Sequence, residues 1–214
     1  SLSLFLFLSL SLSLSLSLSL SPSLSPPSLS PFSLFLSLLL CLLLSFSCLF
    51  SLRNSSIFLQ RVVAQRNPHL KVSVLELGVV CEVVRETYLP KSLEDRVGTI
   101  ACNMFQEDWP KDYDVHFFSN IFHDWDRNQC LHLAKKSYAA LPLGGRIMLH
   151  EMLLNDNKDG GLVAACFSLK MLLRTKGKQF SAQELEGILT EAGFVDAQVV
   201  ITHDFYSVLI GHKK

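Results

Sequence analysis

Residues Tyr113–Leu141 read "YDVHFFSNIFHDWDRNQCLHLAKKSYAAL", and this run decides the fold. Its first part, Tyr113–Phe122, is nearly all apolar, as a strand buried on both faces requires. From Asp126 onward the apolar residues stand three and four apart, the spacing of a helix with one face on a core. His123, Asp124, Trp125 and Asp126 occupy the turn between the two. A buried strand, a polar turn and an amphipathic helix in that order make one half of a βαβ unit.

The chain repeats that alternation on both sides. "PLGG" turns it into "RIMLHEMLL", predicted as a strand. Upstream, "IFLQRVVAQRNP" is a short helix that stops at Asn67, because the residue before a proline avoids helical geometry. "LKVSVLEL" (Leu70–Leu77) is a strand, "VVCEVVRETY" a helix, and "RVGTIACNMF" a strand ending at Asn103. Downstream, "SAQELEGILTEAGF" carries its own start and stop. Ser181 and Glu184 have capping-box spacing, and Gly193 supplies the left-handed end. "DAQVVITHD" and "FYSVLIGHKK" close the chain as paired strands. Strands alternating with helices predict an α/β fold with a doubly wound, mostly parallel sheet. Ligands of such sheets sit beyond the carboxyl ends of the strands. Polar residues stand there four times: Glu76, Asn103, the Ser119–Asp124 segment and Glu151.

The first 52 residues have a different texture. Residues 1–40 contain only Ser, Leu, Phe and Pro. Three protein readings are open. Alternating Ser and Leu has the period of a strand with one apolar face. Residues 32–50 are long and apolar enough for a membrane helix. A secretory leader would want a basic start, and no residue before Arg53 is charged. A fourth reading lies in the genetic code: codons of T and C alone encode just these four residues, and a TC repeat gives Ser-Leu in every frame. We therefore expect residues 1–52 to be a translated pyrimidine tract, disordered or not part of the native message. Residues 53–214 are expected to be one folded domain with a sizeable core, which the resemblance given below implies is catalytic.

Composition agrees with that division. All 19 basic and 19 acidic residues lie from Arg53 onward, giving zero formal net charge. A chain without a basic stripe is not built for nucleic acid. The six cysteines form no CxxC pair and no regular framework, which points to reduced thiols in a cytoplasmic protein.

His123 is the sharpest local feature. An imidazole projecting from the end of a buried strand is well placed for proton transfer near neutral pH. Pattern alone leaves two other readings open: a structural histidine beside a helix cap, and a metal site through His123, Asp124 and His132, whose spacing matches no strong ligand motif.

The HDW turn resembles, together with "LPLGG" before a strand ending in Glu151 and with "SLKMLLRTKGKQFSAQELEGILTEAGF", the plant-type O-methyltransferase family. That family includes caffeate and acetylserotonin O-methyltransferases. The resemblance runs from about Ile57 to the C-terminus. It implies a Rossmann-like class I methyltransferase fold, S-adenosylmethionine as cofactor, no metal, and a small-molecule hydroxyl as acceptor. It also implies a homodimer formed through an N-terminal helical module. By the same resemblance His123 is the base, Glu151 orients it, and Gln179 in "GKQFS" stands where the family has a second acid. Glu76 falls where an aspartate holds the cofactor ribose, and Asn103 and Met104 fall on the adenine contacts. Ser119 and Asn120 replace a basic side chain aimed at the cofactor. Asp124, Lys170, Met171 and Arg174 fall on the acceptor side.

One family element has no counterpart. An acid-Gly-x-Gly-x-Gly loop should precede the helix at Ile57, yet no glycine occurs before Gly78. Glycine there permits positive φ and close approach of the backbone to the cofactor. With the first strand and this loop missing or substituted, the neighbouring strands are expected to have unpaired inner edges.

Overall fold

The computed structural model describes residues 3–8, 62–89, 91–202 and 205–214. Residues 32–50, the candidate membrane span, lie outside them. Among the described residues no helix is long and apolar enough to cross a membrane.

Seven strands form one sheet: β1 (Ser3–Leu8), β2 (Lys71–Glu76), β3 (Val97–Ala101), β4 (Val115–Ser119), β5 (Arg146–Met152), β6 (Val195–Ile201) and β7 (Tyr206–His212). Their order is β3-β2-β1-β4-β5-β7-β6. The first five are parallel, and β7 runs antiparallel to both β5 and β6. The order reverses between β1 and β4, and ligand crevices of doubly wound sheets open at that point.

The central strand comes from the Ser-Leu tract. Ser3–Leu8 pairs with β2 in the register Leu4↔Val72 and with β4 in the register Leu4↔Val115. The expected unpaired inner edges are therefore absent: the ladders of β2 and β4 are both filled. Ser3–Leu8 reads SLFLFL, an unbroken apolar run after Ser3 and not the Ser-Leu alternation of the residues that follow it. A near-continuous apolar run is what a central parallel strand uses. Asp114 fixes its start, accepting from the Ser3 amide at 2.7 Å through Oδ2 and donating its own amide to the Ser3 carbonyl at 2.9 Å. The sheet unit contains residues 1–9 together with 56–214.

Helices among the described residues include α1 (Gly78–Val83), α2 (Arg127–Ala140), α3 (Leu162–Arg174) and α4 (Ala182–Ala192). Helix α1 widens into a π-helical turn over Val84–Tyr88. Asp126 caps α2 by accepting from the Gln129 amide, and Ser181 with Glu184 forms the full capping box of α4. Gly193 ends α4 at φ 106°, a left-handed value that suits glycine. The larger core packs β4, β5 and β7 against α2 and α4 through Phe118, Phe122, Leu133, Ile147, Leu185 and Leu189. A second cluster around Val72, Val74 and Val97 takes in Leu4 of β1.

Three elements differ from the sequence reading. β4 ends at Ser119, because Asn120 turns the chain with φ 54° into a 3-10 turn over Phe122–Asp124. Asparagine visits that left-handed region more readily than most residues. β3 stops at Ala101, and Asn103 already belongs to the next turn, where its Oδ1 accepts from the Phe105 amide at 3.0 Å. Helix α3 was not among the predicted elements. It is apolar nearly all round, with Leu162, Leu169, Leu172 and Leu173 exposed, so it lacks the polar stripe by which a surface helix is recognised.

Candidate active site

The site forms at the carboxyl ends of β4 and β5, where two local decisions meet. Asn120 bends the chain after β4, and its amide donates to the His150 carbonyl at 3.1 Å. The next two amides, of Ile121 and Phe122, then point at the penultimate residue of β5. Both donate to Glu151 Oε1, at 3.0 and 2.9 Å. The other oxygen, Oε2, lies 2.8 Å from His123 Nδ1. A buried carboxylate held by two amides and one imidazole is well compensated, and Glu151 is only 2% exposed.

This contact sets the tautomer. With Nδ1–H directed at Glu151, the Nε2 of a neutral His123 carries the lone pair, as a base requires. Nε2 lies 3.6 Å from Asp124 Oδ1. Burial works against protonation of His123, but the Glu151 carboxylate outweighs it and Asp124 adds to the effect, so the imidazole pKa sits above its ordinary value; Lys170 pulls weakly the other way.

Gln179 reaches the same ring. It is fully buried, with Nε2 3.4 Å from His123 Nδ1. Because the Nδ1 proton is committed to Glu151, the ring offers no lone pair there to an amide N–H, so Gln179 acts as a neutral neighbour of the pair. Phe167 of α3 packs edge-on against the imidazole with ring centroids 5.5 Å apart, and Lys170 Nζ lies 4.9 Å over the Phe167 ring. These side chains leave His123 only 4% exposed. An open cavity of about 290 Å³, lined by Leu153, Gly161–Ala164 and Phe205, lies at the N-terminal end of α3 and does not include His123.

The structure thus gathers His123, Glu151, Gln179 and Asp124 into one cluster, with Lys170 at its edge. Met171 is buried and Arg174 exposed on the same helix. Phe167 is a member that sequence reading missed; its signal was its place three residues before Lys170, one helical turn away. His132 lies apart, with Nε2 3.2 Å from the Phe105 carbonyl, so the three residues of the metal reading do not converge. Beyond β5, Ser119 turns its hydroxyl to His150 Nδ1 at 2.9 Å, and His150 stacks on Tyr206 with centroids 4.7 Å apart.

The cofactor-side candidates are more scattered. Glu76 ends β2, where its Oε2 accepts from the Leu77 amide at 3.2 Å. Asn103 is engaged in its own turn through both its amide and its side chain. The Met104 carbonyl accepts from Trp109 Nε1 at 3.0 Å, and its side chain packs on the larger core. Ser119 pairs in register with Leu8, the last residue of β1.

A strand order that reverses beside β1, with a buried acid–imidazole pair at the ends of β4 and β5, defines a doubly wound protein equipped for proton transfer. The model of the O-methyltransferase domain family matches residues 54–195, and the chain belongs to that family. Acetylserotonin O-methyltransferase of Gallus gallus is 33% identical over 146 residues, covering 68% of this chain and 42% of that protein. The 3-hydroxy-5-methyl-1-naphthoate 3-O-methyltransferase of Streptomyces sahachiroi is 31% identical over 138 residues, covering 64% of this chain and 40% of that protein. The crystal structure of human N-acetylserotonin methyltransferase in complex with SAM superposes with a TM-score of 0.68 at 25% identity, covering 72% of this chain and 44% of that one. The chain spans about two fifths of the length of these curated relatives.

Proposed function

We propose that residues 53–214 are the methyltransferase portion of a cytoplasmic enzyme that moves a methyl group from S-adenosylmethionine to the hydroxyl of a small molecule, with His123 as general base. The buried Glu151–His123 pair carries this reading. A neutral hydroxyl is a weak nucleophile until its proton has somewhere to go. Nε2 of His123 accepts that proton, and Glu151 pairs with the imidazolium that results, as the acid does in triad chemistry. The names of two relatives, an acetylserotonin and a hydroxynaphthoate enzyme, support an aromatic hydroxyl as acceptor. Phe167, packed edge-on against the imidazole, offers a planar acceptor a stacking surface beside the base.

S-adenosylmethionine supplies a methyl group on a sulfonium. The residues present fit it unevenly. Glu76, at the carboxyl end of β2 next to the switch point, suits two ribose hydroxyls. The chain leaving β1 has no glycine up to Gly78, which does not suit close backbone approach to the cofactor. This chain as written is therefore expected to bind the cofactor weakly or not at all, and low-micromolar binding by calorimetry would overturn that expectation. In the whole enzyme, His123→Ala is expected to cut methyl transfer about 10²-fold or more. Near-normal turnover would remove His123 from the mechanism.

A further inference from the structure

The segment after α3 does more than join two helices. Thr175 ends α3, its Oγ1 donating to the Met171 carbonyl at 2.9 Å and accepting from the Gly177 amide at 3.1 Å. Two residues on, the Gln179 amide donates to Ser168 Oγ at 3.1 Å, returning the chain to the same helix. The far end is tied to the extension of β5: the Leu154 amide donates to the Phe180 carbonyl at 2.9 Å, and Leu154 bridges Ser181. Between these anchors the backbone runs directly over the turn that carries the base. A methyl group built on Gly177 would lie 2.0 Å from the carbonyl oxygen of His123, 2.6 Å from the Trp125 nitrogen and 2.7 Å from the Asp124 carbonyl carbon. All three are backbone atoms, so no side-chain rotation relieves the overlap. Gly177 is buried, and Gln179 then lies against the imidazole itself.

We propose that Gly177 is a positioning residue for His123: residues 175–179 form a strap whose bare backbone presses the His123–Trp125 turn against Glu151. The strap makes one mechanical unit of the base and helix α3, since it is bonded to Ser168 and Met171, which flank Phe167 and Lys170 on the acceptor side. Any side chain at position 177 displaces the His123–Trp125 turn, and with it the Nδ1–Oε2 contact, while leaving Glu151 on its own strand. This deepens the reading of His123 as the base and rests on it for its functional meaning, although the geometry can be tested without cofactor or acceptor.

The test is a pH titration of the full chain labelled with ¹⁵N-histidine, following the ring nitrogens of His123. The charged groups facing this ring are Glu151, Asp124 and Lys170, and none of them is altered by the variants. The Gly177→Ala variant is expected to lower the His123 midpoint by about one pH unit or more as the carboxylate contact lengthens, and to weaken the preference for the Nδ1–H tautomer. Thr175→Val, which removes the bond to the Gly177 amide without adding bulk at 177, is expected to move the midpoint the same way by less. Gly187→Ala on α4, where the added methyl meets nothing within 4 Å, should leave it unchanged. The proposal is overturned if Gly177→Ala folds with the wild-type midpoint and tautomer. Should that variant fail to fold, an unmoved midpoint in Thr175→Val overturns it, as does an equal shift in Gly187→Ala. Turnover of His123→Ala tests the base assignment separately, so a failure of either reading can be told from a failure of the other.

Discussion

The two halves of the crevice are built to different standards. At the carboxyl ends of β4 and β5 the acid and the imidazole hold each other in place: Glu151 accepts from two amides and meets His123 Nδ1. At the ends of β2 and β3 the polar groups serve local turns, with Glu76 bonded to the next amide and Asn103 to its own loop. The half around the proposed base is held by its own hydrogen bonds. The half proposed for the cofactor has polar atoms at its strand ends, and the sequence between β1 and Gly78 contains no glycine. Preorganisation among the described residues is concentrated around His123 and Glu151, where we propose that the proton moves.

Removing the anchor of the better-built half should give the largest effect. Glu151→Ala leaves the Ile121 and Phe122 amides without their acceptor and the buried imidazole without its counter-charge. Loss of one partner from a buried pair costs about 3–5 kcal/mol, so urea unfolding should show a drop of about 3 kcal/mol. A loss below about 0.5 kcal/mol, the level of an ordinary surface substitution, would mean that the carboxylate is dispensable and the contrast between the halves is wrong.

A milder change, Glu151→Gln, keeps an oxygen for the two amides but removes the charge, and its signature is in pH dependence. The folded-state pKa of His123 lies above its unfolded value because the Glu151 charge outweighs burial. The protonated ring therefore stabilises the fold fully below the ordinary imidazole pKa, and that contribution is lost as pH rises through the folded value. Wild-type stability should fall across this window, and Glu151→Gln should flatten the slope. By the same shift, kcat/KM of the whole enzyme should climb with pH to a plateau above the folded pKa, where Nε2 is free to accept a proton. A rising limb at or below the ordinary imidazole pKa would show that Glu151 does not raise the pKa of His123.

How much of this contrast the sequence carried depends on whether a feature is local. The capping box of α4 and the Gly193 stop are short-range patterns and appear where expected. His123 and Glu151 were readable because each stands near the carboxyl end of an apolar strand, His123 just past β4 and Glu151 next to last in β5. Their meeting was carried only by family resemblance, since it depends on the left-handed Asn120, which shortens β4 and aims two amides at one carboxylate. Gly177 gave no signal, because a glycine in a loop does not reveal what backbone it will touch. The source of the central strand was the largest surprise. Ser3–Leu8 fills the ladders of β2 and β4, and a central parallel strand asks for an apolar run with free backbone groups, which the low-complexity stretch SLFLFL supplies.

Asn103 offers the finest test of the weaker half. Its resemblance-based role is to contact adenine, whereas in the structure its Oδ1 accepts from the Phe105 amide and so shapes the turn after β3. Asparagine and aspartate both provide that acceptor, as in Asx turns generally. If the turn is what position 103 serves, Asn103→Asp should match wild type in thermal unfolding while Asn103→Ala loses about 1 kcal/mol, the usual net value of such a bond. If instead both variants unfold like wild type, the turn bond contributes nothing, and the side chain is released to recognise a ligand. That outcome would raise the cofactor half toward the standard of its neighbour, because a polar group without a structural duty at a strand end is what an adenine site needs.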